Sequence, residues 1–400
     1  MLLLTMAMVL SGLLLPGMRK NKIWRATLTP LASIIGSGFL VIAPLLGYAV
    51  GSWSTIAMLL IVLLAYCIGW VIRFNIAQLD KDANPAAPLL KVIEHTSKFT
   101  LSIAYLISIA FYIRLLASFV LHAFNMSTHI AIANSIATVC LLCIAITGVF
   151  RGLSGMEVAE EFAVSIKLSI IAALLVGLTA YQFQTPAESL FIPSAPVSDP
   201  IHALRLLAGM LLVVQGFETS RYLGSAYSAR HRIQTMKYAQ WLSALIYLVF
   251  VTLAHSLLPI SNSSPSETAI ITMSQQVSLL LPILLTVAAV MSQFSAAVAD
   301  TAGFGGLFHE AIKKKHSERT GYTVAVCLAI VLIWSTNLFS IITLASQAFA
   351  LYYLTQCMTA WLLAGEIQAT TKRRWLRCAF TLLVIILALV VLFAIPAESL

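Results

Sequence analysis

Two short stretches, and a few charged residues set inside long apolar runs, are where this chain could do chemistry. IIGSGFL, residues 34–40, places Gly36 and Gly38, both helix-weakening, around Ser37 in an otherwise apolar segment. VVQGFETSRYLG, residues 213–224, puts a glycine, Glu218 and Arg221 into a second such segment. A helix interrupted at Gly36, Ser37 and Gly38 would free amides at the start of its outer half. Unpaired N–H groups and the helix dipole there attract an anion such as a carboxylate. Close packing through small residues is the competing explanation, since Gly47 and Gly51 show similar spacing. The second interrupted segment, half a chain later, tips the balance toward a break. Glu218 then either bonds the backbone freed at that break or accepts a proton. Arg221 reads as a residue that snorkels or pairs at the membrane interface.

Lys167, Asp300, Arg114 and Arg205 also stand among apolar neighbours. A charge in such a place is costly to desolvate, which makes each a candidate for function. Lys167 could exchange a proton as a cavity opens, serve as a fixed cation, or snorkel to the nearby helix end. Asp300 could be a proton site or the partner of an intramembrane base. Arg114 calls for an internal partner or an anionic substrate, while Arg205 can simply snorkel. Ser292, Ser295, Ala296, Ala299, Gly303 and Gly306 form a small-residue stripe that is most simply a packing surface.

The elements that must position these residues follow from composition. Of 400 residues 60% are hydrophobic and 10% charged, far from the mix of a soluble domain. Apolar segments of about 20 residues, enough to span a bilayer as helix, recur throughout. They predict eleven helices near 27–49, 53–78, 100–124, 128–149, 158–181, 202–224, 238–260, 276–307, 321–337, 340–364 and 375–395. The net charge of +9 is not a nucleic-acid footprint, because the basic residues fall in alternate connections. Arg19, Lys20, Lys22 and Arg25 precede the first helix; Arg73, Lys81, Lys91 and Lys98 follow the second; Arg151 follows the fourth. Arg221 to Lys237, Lys313 to Arg319 and Lys372 to Arg377 continue the series. The intervening loops contain no Lys or Arg, so the start of helix 1 is expected in the cytoplasm and the tail AIPAESL outside a cell membrane.

Helices 1–5 and 6–10 align at an offset of roughly 180 residues, and an odd number of spans per repeat makes the second copy inverted. The expected organisation is an N-terminal cytoplasmic or interfacial segment 1–25, a first repeat 26–182, an inverted second repeat 200–364 and an additional helix within 372–400. MLLLTMAMVLSGLLLP is shorter than a span and reads as an interfacial helix or as sequence upstream of a true start at Met18. The six cysteines lie in or at the cytoplasmic ends of helices, so no disulfide is expected. Cys140 and Cys143 lack the His or acidic neighbours of a metal site.

GSGFL in helix 1 resembles the G-S/A-G-I-F signature of the amino acid, polyamine and organocation (APC) transporter superfamily, with Phe-Leu in place of Ile-Phe. QGFE in helix 6 resembles its G-F-E segment, and RGLSGMEVAEEFAVSIKLSIIAALL at 151–175 resembles its entry to helix 5. The likeness covers roughly residues 26–364. It implies an all-α polytopic membrane protein with a leucine-transporter-like 5+5 inverted-repeat fold plus one extra C-terminal helix. It also implies that amides around Gly36, Ser37, Gly38 and Phe39 meet an amino acid's carboxylate, and that Val214, Gln215, Gly216 and Phe217 meet its amine or side chain. Lys167 looks like the lysine that replaces a sodium ion in sodium-independent members, with Ser292 or Ser295 as its partner.

The function expected is secondary transport of an amino acid or similar small organic solute by alternating access, with Lys167, Glu218, Ser292, Ser295 and Asp300 in coupling, possible protons as partners and no cofactor. No Walker-type loop points to ATP. An intramembrane enzyme would need a clustered His and acid, which the scattered histidines do not offer. A non-transporting sensor or assembly protein on the same scaffold is the other alternative. Divalent-metal transport fits less well, because the breaks offer amides and apolar side chains.

Overall fold

A bilayer offers no partner to a free backbone amide, so apolar runs in it become helices that satisfy their own. The computed structural model describes residues 1–36, 38–80, 88–124, 126, 129–184, 199–224, 226–257, 269–312, 317–336 and 338–393. Every regular element among them is helical. Ser37, Lys81, Lys313 to Lys315, residues 185–198 and 258–268 in two of the loops expected to lack basic residues and the tail AIPAESL lie outside the described residues.

The chain begins with α1 (Leu2–Leu13), α2 (Pro16–Arg19) and α3 (Lys22–Ile34), then restarts as α4 (Gly38–Val50). The Asn21 side chain caps α3 by accepting from the Ile23 and Trp24 amides. Next come α5 (Ser54–Leu79), α6 (Pro88–Ala123) and α7 (Ile130–Gln184). After α8 (Pro200–Met210) the chain tightens into 3-10 turns at Leu211–Val214 and Phe217–Tyr222. The remaining helices are α9 (Ala229–Ala254), α10 (Ala269–Met273), α11 (Leu281–Ala311), α12 (Glu318–Ser335), α13 (Leu338–Gly365) and α14 (Thr370–Phe393).

Seven helices among the described residues are long and apolar enough to cross a membrane, and large apolar side chains such as Leu60, Trp241, Leu245 and Leu392 remain exposed on them. This is a multi-pass membrane protein. The core lies where α3, α4, α6, α7, α9, α11 and α13 pack together.

Several boundaries differ from the sequence expectation for a common reason. Hydropathy marks the stretch that suits lipid, whereas helix ends depend on backbone geometry. Thus α6 starts at Pro88 rather than at residue 100, carrying Lys91, Glu94 and Lys98 on helix. The expected helices 128–149 and 158–181 join in α7 across a kink at Gly152, whose φ of 63° suits glycine. The first turn expected at residue 276 is a 3-10 turn, and α11 proper starts at Leu281.

The N-terminal segment also has a definite course. Leu2 lies against Gly177 near one end of α7, while Arg19 reaches Glu161 near the kink, at 2.7 Å. Residues 2–19 therefore run antiparallel along the second half of α7. Arg19, Arg25, Arg221, Arg232 and Lys98 pair with Glu161, Glu157, Glu94, Asp80 and Glu310 at one end of the bundle. That end is called the basic end below.

Candidate functional site

Both glycine-marked segments are broken, and the breaks touch. The backbone leaves the helix after Ile34, with Ile35 at φ −84° and ψ 58°, and re-enters it at Gly38. The second break centres on Gly216, whose φ of +114° few L side chains adopt. A Cβ on Gly38 would overlap Val213, and one on Gly216 would overlap Ser33. The Tyr247 hydroxyl, from α9, spans the two breaks by donating to the Ile34 carbonyl at 2.9 Å and the Val213 carbonyl at 3.1 Å.

Where α3 stops, its last carbonyls lose their helical partners. Lys167, fully buried on α7, donates to the Ala32 carbonyl at 2.9 Å and the Ile35 carbonyl at 2.5 Å. Its third contact is Ser295 Oγ at 2.8 Å. Ser292 Oγ lies 2.7 Å from both the Ile35 and Gly36 carbonyls. A cation and hydroxyls thus cap the negative end of this half-helix. Gly36 itself faces Ala296 of α11 and the Tyr112 hydroxyl of α6.

The second break is capped with the opposite sign. Glu218 Oε2 accepts from the Gly216 amide at 3.0 Å and from the Tyr353 hydroxyl at 2.7 Å. Its Oε1 is buried without a partner among the described residues. Of the two readings of Glu218 from sequence, bonding to freed backbone is the one visible in this geometry. Gln215 Nε2 donates to Tyr112 Oη at 3.3 Å, while its Oε1 is left buried and unpartnered among the described residues. Phe217 stacks on Tyr353, ring centroids 5.4 Å apart, and Phe39 packs against Tyr247 and Phe250. Val214 is buried beside them.

Asp300 joins three helices, accepting from Ser33 of α3 at 2.9 Å and from Ser108 of α6. Among the described residues neither it, nor Glu218, nor Lys167 forms a salt bridge. Glu160 was not singled out from sequence, yet it is fully buried and accepts from Thr29 of α3 at 2.6 Å. The signal was its register: residues 160 and 167 are two turns apart on one face of a helix. Ser33, Ser108, Tyr112, Tyr247 and Tyr353 were missed as well, because hydroxyls in apolar helices are common and only the fold aims these at the breaks.

The other charged candidates lie apart from this cluster. Arg114 is half-buried, and its Nη1 has no partner among the described residues. Arg205 donates through Nε to the Phe393 carbonyl at 2.9 Å. Of the two readings of Arg221, snorkelling is the one the geometry sets aside: it is buried and paired, donating to Glu94 at 2.6 Å and to Gln356 of α13. Below the breaks, at the basic end, Glu157 pairs with Arg25 and accepts from the Tyr227 hydroxyl at 2.5 Å. Burial, and then the bond to Glu157, push the Tyr227 hydroxyl above its ordinary pKa. In the small-residue stripe Gly303 faces the Tyr105 ring and Gly306 the Tyr222 carbonyl, which is close packing.

Comparison with known proteins adds three findings. Residues 16–394 match the family described as "APC superfamily transporter". An uncharacterized protein of Aquifex aeolicus (strain VF5) is 42% identical over 390 residues, covering 96% of this chain and 93% of that one. Among solved structures, MhsT in complex with L-phenylalanine superposes with a TM-score of 0.60 at 14% identity, covering 94% of this chain and 99% of that chain. The Eremococcus coleocola manganese transporter in complex with an aromatic bis-isothiourea compound does so at 0.59 and 12% identity, covering 92% and 84%. At these identities the likeness to solved structures is one of fold, the leucine-transporter-like arrangement.

Proposed function

The chain belongs to the APC superfamily of transporters, and from that premise we propose that it is a secondary active transporter of an amino acid or related small organic solute. It works by alternating access as a permease or exchanger. The observation that carries this reading is the meeting of two broken helices, Gly38 against Val213 and Gly216 against Ser33, bridged by one tyrosine hydroxyl. Broken helices that meet inside a membrane supply main-chain donors and acceptors that unbroken ones would have consumed.

In this reading the amides that follow Gly36 take the solute carboxylate, with Ser37, Gly38 and Phe39 on that side. Val214, Gln215, Gly216 and Phe217 take its amine or side chain. Phe39, Phe217, Tyr112 and Tyr353 give the surroundings an aromatic character that suits an organic solute such as the L-phenylalanine in the MhsT crystal. A manganese ion, named for the other fold relative, would want several acidic or sulfur ligands on one spot. Glu218 and Asp300 stand at different breaks and each is taken up by hydroxyl or amide donors.

Lys167 is the fixed or exchangeable cation that replaces sodium, bridging α3 to α11 through the Ile35 carbonyl and Ser295, with Ser292 beside it. Glu218, Asp300 and Glu160 are buried acids with no salt-bridge partner among the described residues, the kind of group that can exchange a proton when water reaches it. The orientation that goes with this reading has the basic end in the cytoplasm of a cell membrane and the C-terminus outside. The repeats are 26–182 and an inverted 200–364, with α14 appended.

The test is uptake of labelled amino acids and amines into proteoliposomes, with an imposed pH gradient and with choline in place of sodium. Sodium-independent uptake of at least one of them is expected. Failure of every such solute to move, or to raise the melting temperature of the purified protein, overturns the reading. Strict sodium dependence overturns the role given to Lys167.

A further inference from the structure

The transport site leaves unused a cavity of about 640 Å³ at the basic end, between the N-terminal segment and the kink in α7. Arg19, Lys20, Arg25 and Arg151 line it, with Glu161 as the one acid. Four cations against Glu161 and the Glu157 that Arg25 bonds leave a formal charge of +2 (4 − 2). Arg19 spends its Nε on Glu161, and Arg25 spends Nη2 on Glu157. Lys20 and Arg151 are exposed and have no side-chain partner among the described residues. An assembly of like charges this close repels itself unless an anion joins it.

The walls say which anion. Leu14 and Val158 give the cavity an apolar side. Leu15, Phe150 and Phe162, next in sequence to the lining residues Leu14, Arg151 and Glu161, are 57%, 76% and 45% exposed, large apolar groups left for lipid chains to cover. The Arg19 guanidinium lies over the Phe162 ring, 5.2 Å from its centroid, so charge and apolar surface meet along one edge. A soluble anion would use the cations and leave that edge uncovered. A phospholipid uses both, with its phosphodiester among the basic groups and its chains along the exposed apolar groups.

We propose that this cavity binds the anionic phosphodiester headgroup of a phospholipid from the leaflet at the basic end, with Lys20 and Arg151 as its principal contacts. The bound headgroup links the N-terminal segment to the Gly152 kink, alongside the Arg19–Glu161 and Arg25–Glu157 pairs that already join them. The inference rests on the proposed orientation and on no transported solute.

The full chain is reconstituted in nanodiscs of phosphatidylcholine, alone or with phosphatidylglycerol replacing part of it, and both its melting temperature and the lipid it retains are measured. Phosphatidylglycerol should raise the melting temperature and be retained preferentially. Lys20→Gln with Arg151→Gln should weaken that retention by roughly thirtyfold, from about one surface charge's worth of attraction each. Lys372→Gln with Arg374→Gln, which removes two exposed cations at the same end but away from the cavity, should leave it unchanged. Equal weakening by both pairs would mean diffuse surface attraction and sink the site, as would the absence of any preference for phosphatidylglycerol. If glycerol phosphate added to pure phosphatidylcholine discs reproduces the full effect, the ligand is a soluble anion and the lipid assignment fails.

Discussion

The two breaks solve the same backbone problem with opposite charges. At the end of α3 the orphaned groups are carbonyls, and the groups that meet them are donors: Lys167, Ser292 and Tyr247. At Gly216 the orphaned group is an amide, and an acceptor, Glu218, meets it. A half-helix exposes carbonyls at one end and amides at the other, so the sign of each buried ion follows from which end it caps. Neither ion is paired with a counter-ion among the described residues; each is held by backbone and hydroxyls. Their cost is offset only while the breaks keep their present shape. A movement of α3 that takes Ala32 and Ile35 away from Lys167 would strand a charge.

The comparison breaks most severely at Lys167. Lys167→Ala removes the donor to two carbonyls at once, and buried unmet groups cost about 1–3 kcal/mol each. Uptake in proteoliposomes should fall to background while circular dichroism and gel filtration report a folded protein. Retention of substantial uptake would show that the cation is dispensable. Gly216→Ala acts on the other break. It forces a side chain into φ +114° and against Ser33, with strain of about 1–3 kcal/mol. A lower melting temperature and weaker solute binding are expected together. An unchanged melting temperature would mean that the second break is not held as described. Tyr247→Phe tests the link between them. Loss of one hydroxyl should cost about 0.5–1.5 kcal/mol, and its effect in combination with Gly216→Ala should be non-additive, since both touch the same junction.

Both breaks could be read from sequence through the glycines at 36, 38 and 216, and the buried charges because a membrane punishes polar residues so heavily that each one stands out. Lys167, Glu218 and Asp300 were visible for that reason, and all three are fully buried near the breaks. Glu160 was not. It follows Glu157 and precedes Glu161, which bond arginines at the basic end, and only the turn of α7 sends the middle acid inward to Thr29. Tyr247, whose hydroxyl bonds a carbonyl in each break, sits in an ordinary-looking span, and nothing in ALIYLVF distinguishes it. Arg221 was visible, but its partner and its burial were not. Hydropathy put it at the end of a span, whereas Glu94, on a stretch of α6 outside the apolar run, reaches it and makes burial tolerable. What stayed hidden was partnership across the chain, which depends on which face of each helix turns inward.

The finest test of the sign rule is Glu218→Gln, because it removes charge while leaving shape and an acceptor. A glutamine oxygen can take the bonds from the Gly216 amide and Tyr353 that Glu218 Oε2 takes now. Stability should therefore change by no more than about 1 kcal/mol. If Glu218 serves only as a cap, the variant transports as the wild type does at every pH. If it also carries the coupled proton, uptake driven by a pH gradient disappears while exchange of labelled for unlabelled solute, which needs no net proton movement, persists. Loss of both activities in a folded variant would place the charge of Glu218 in solute binding, giving the second break a role that mirrors that of Lys167.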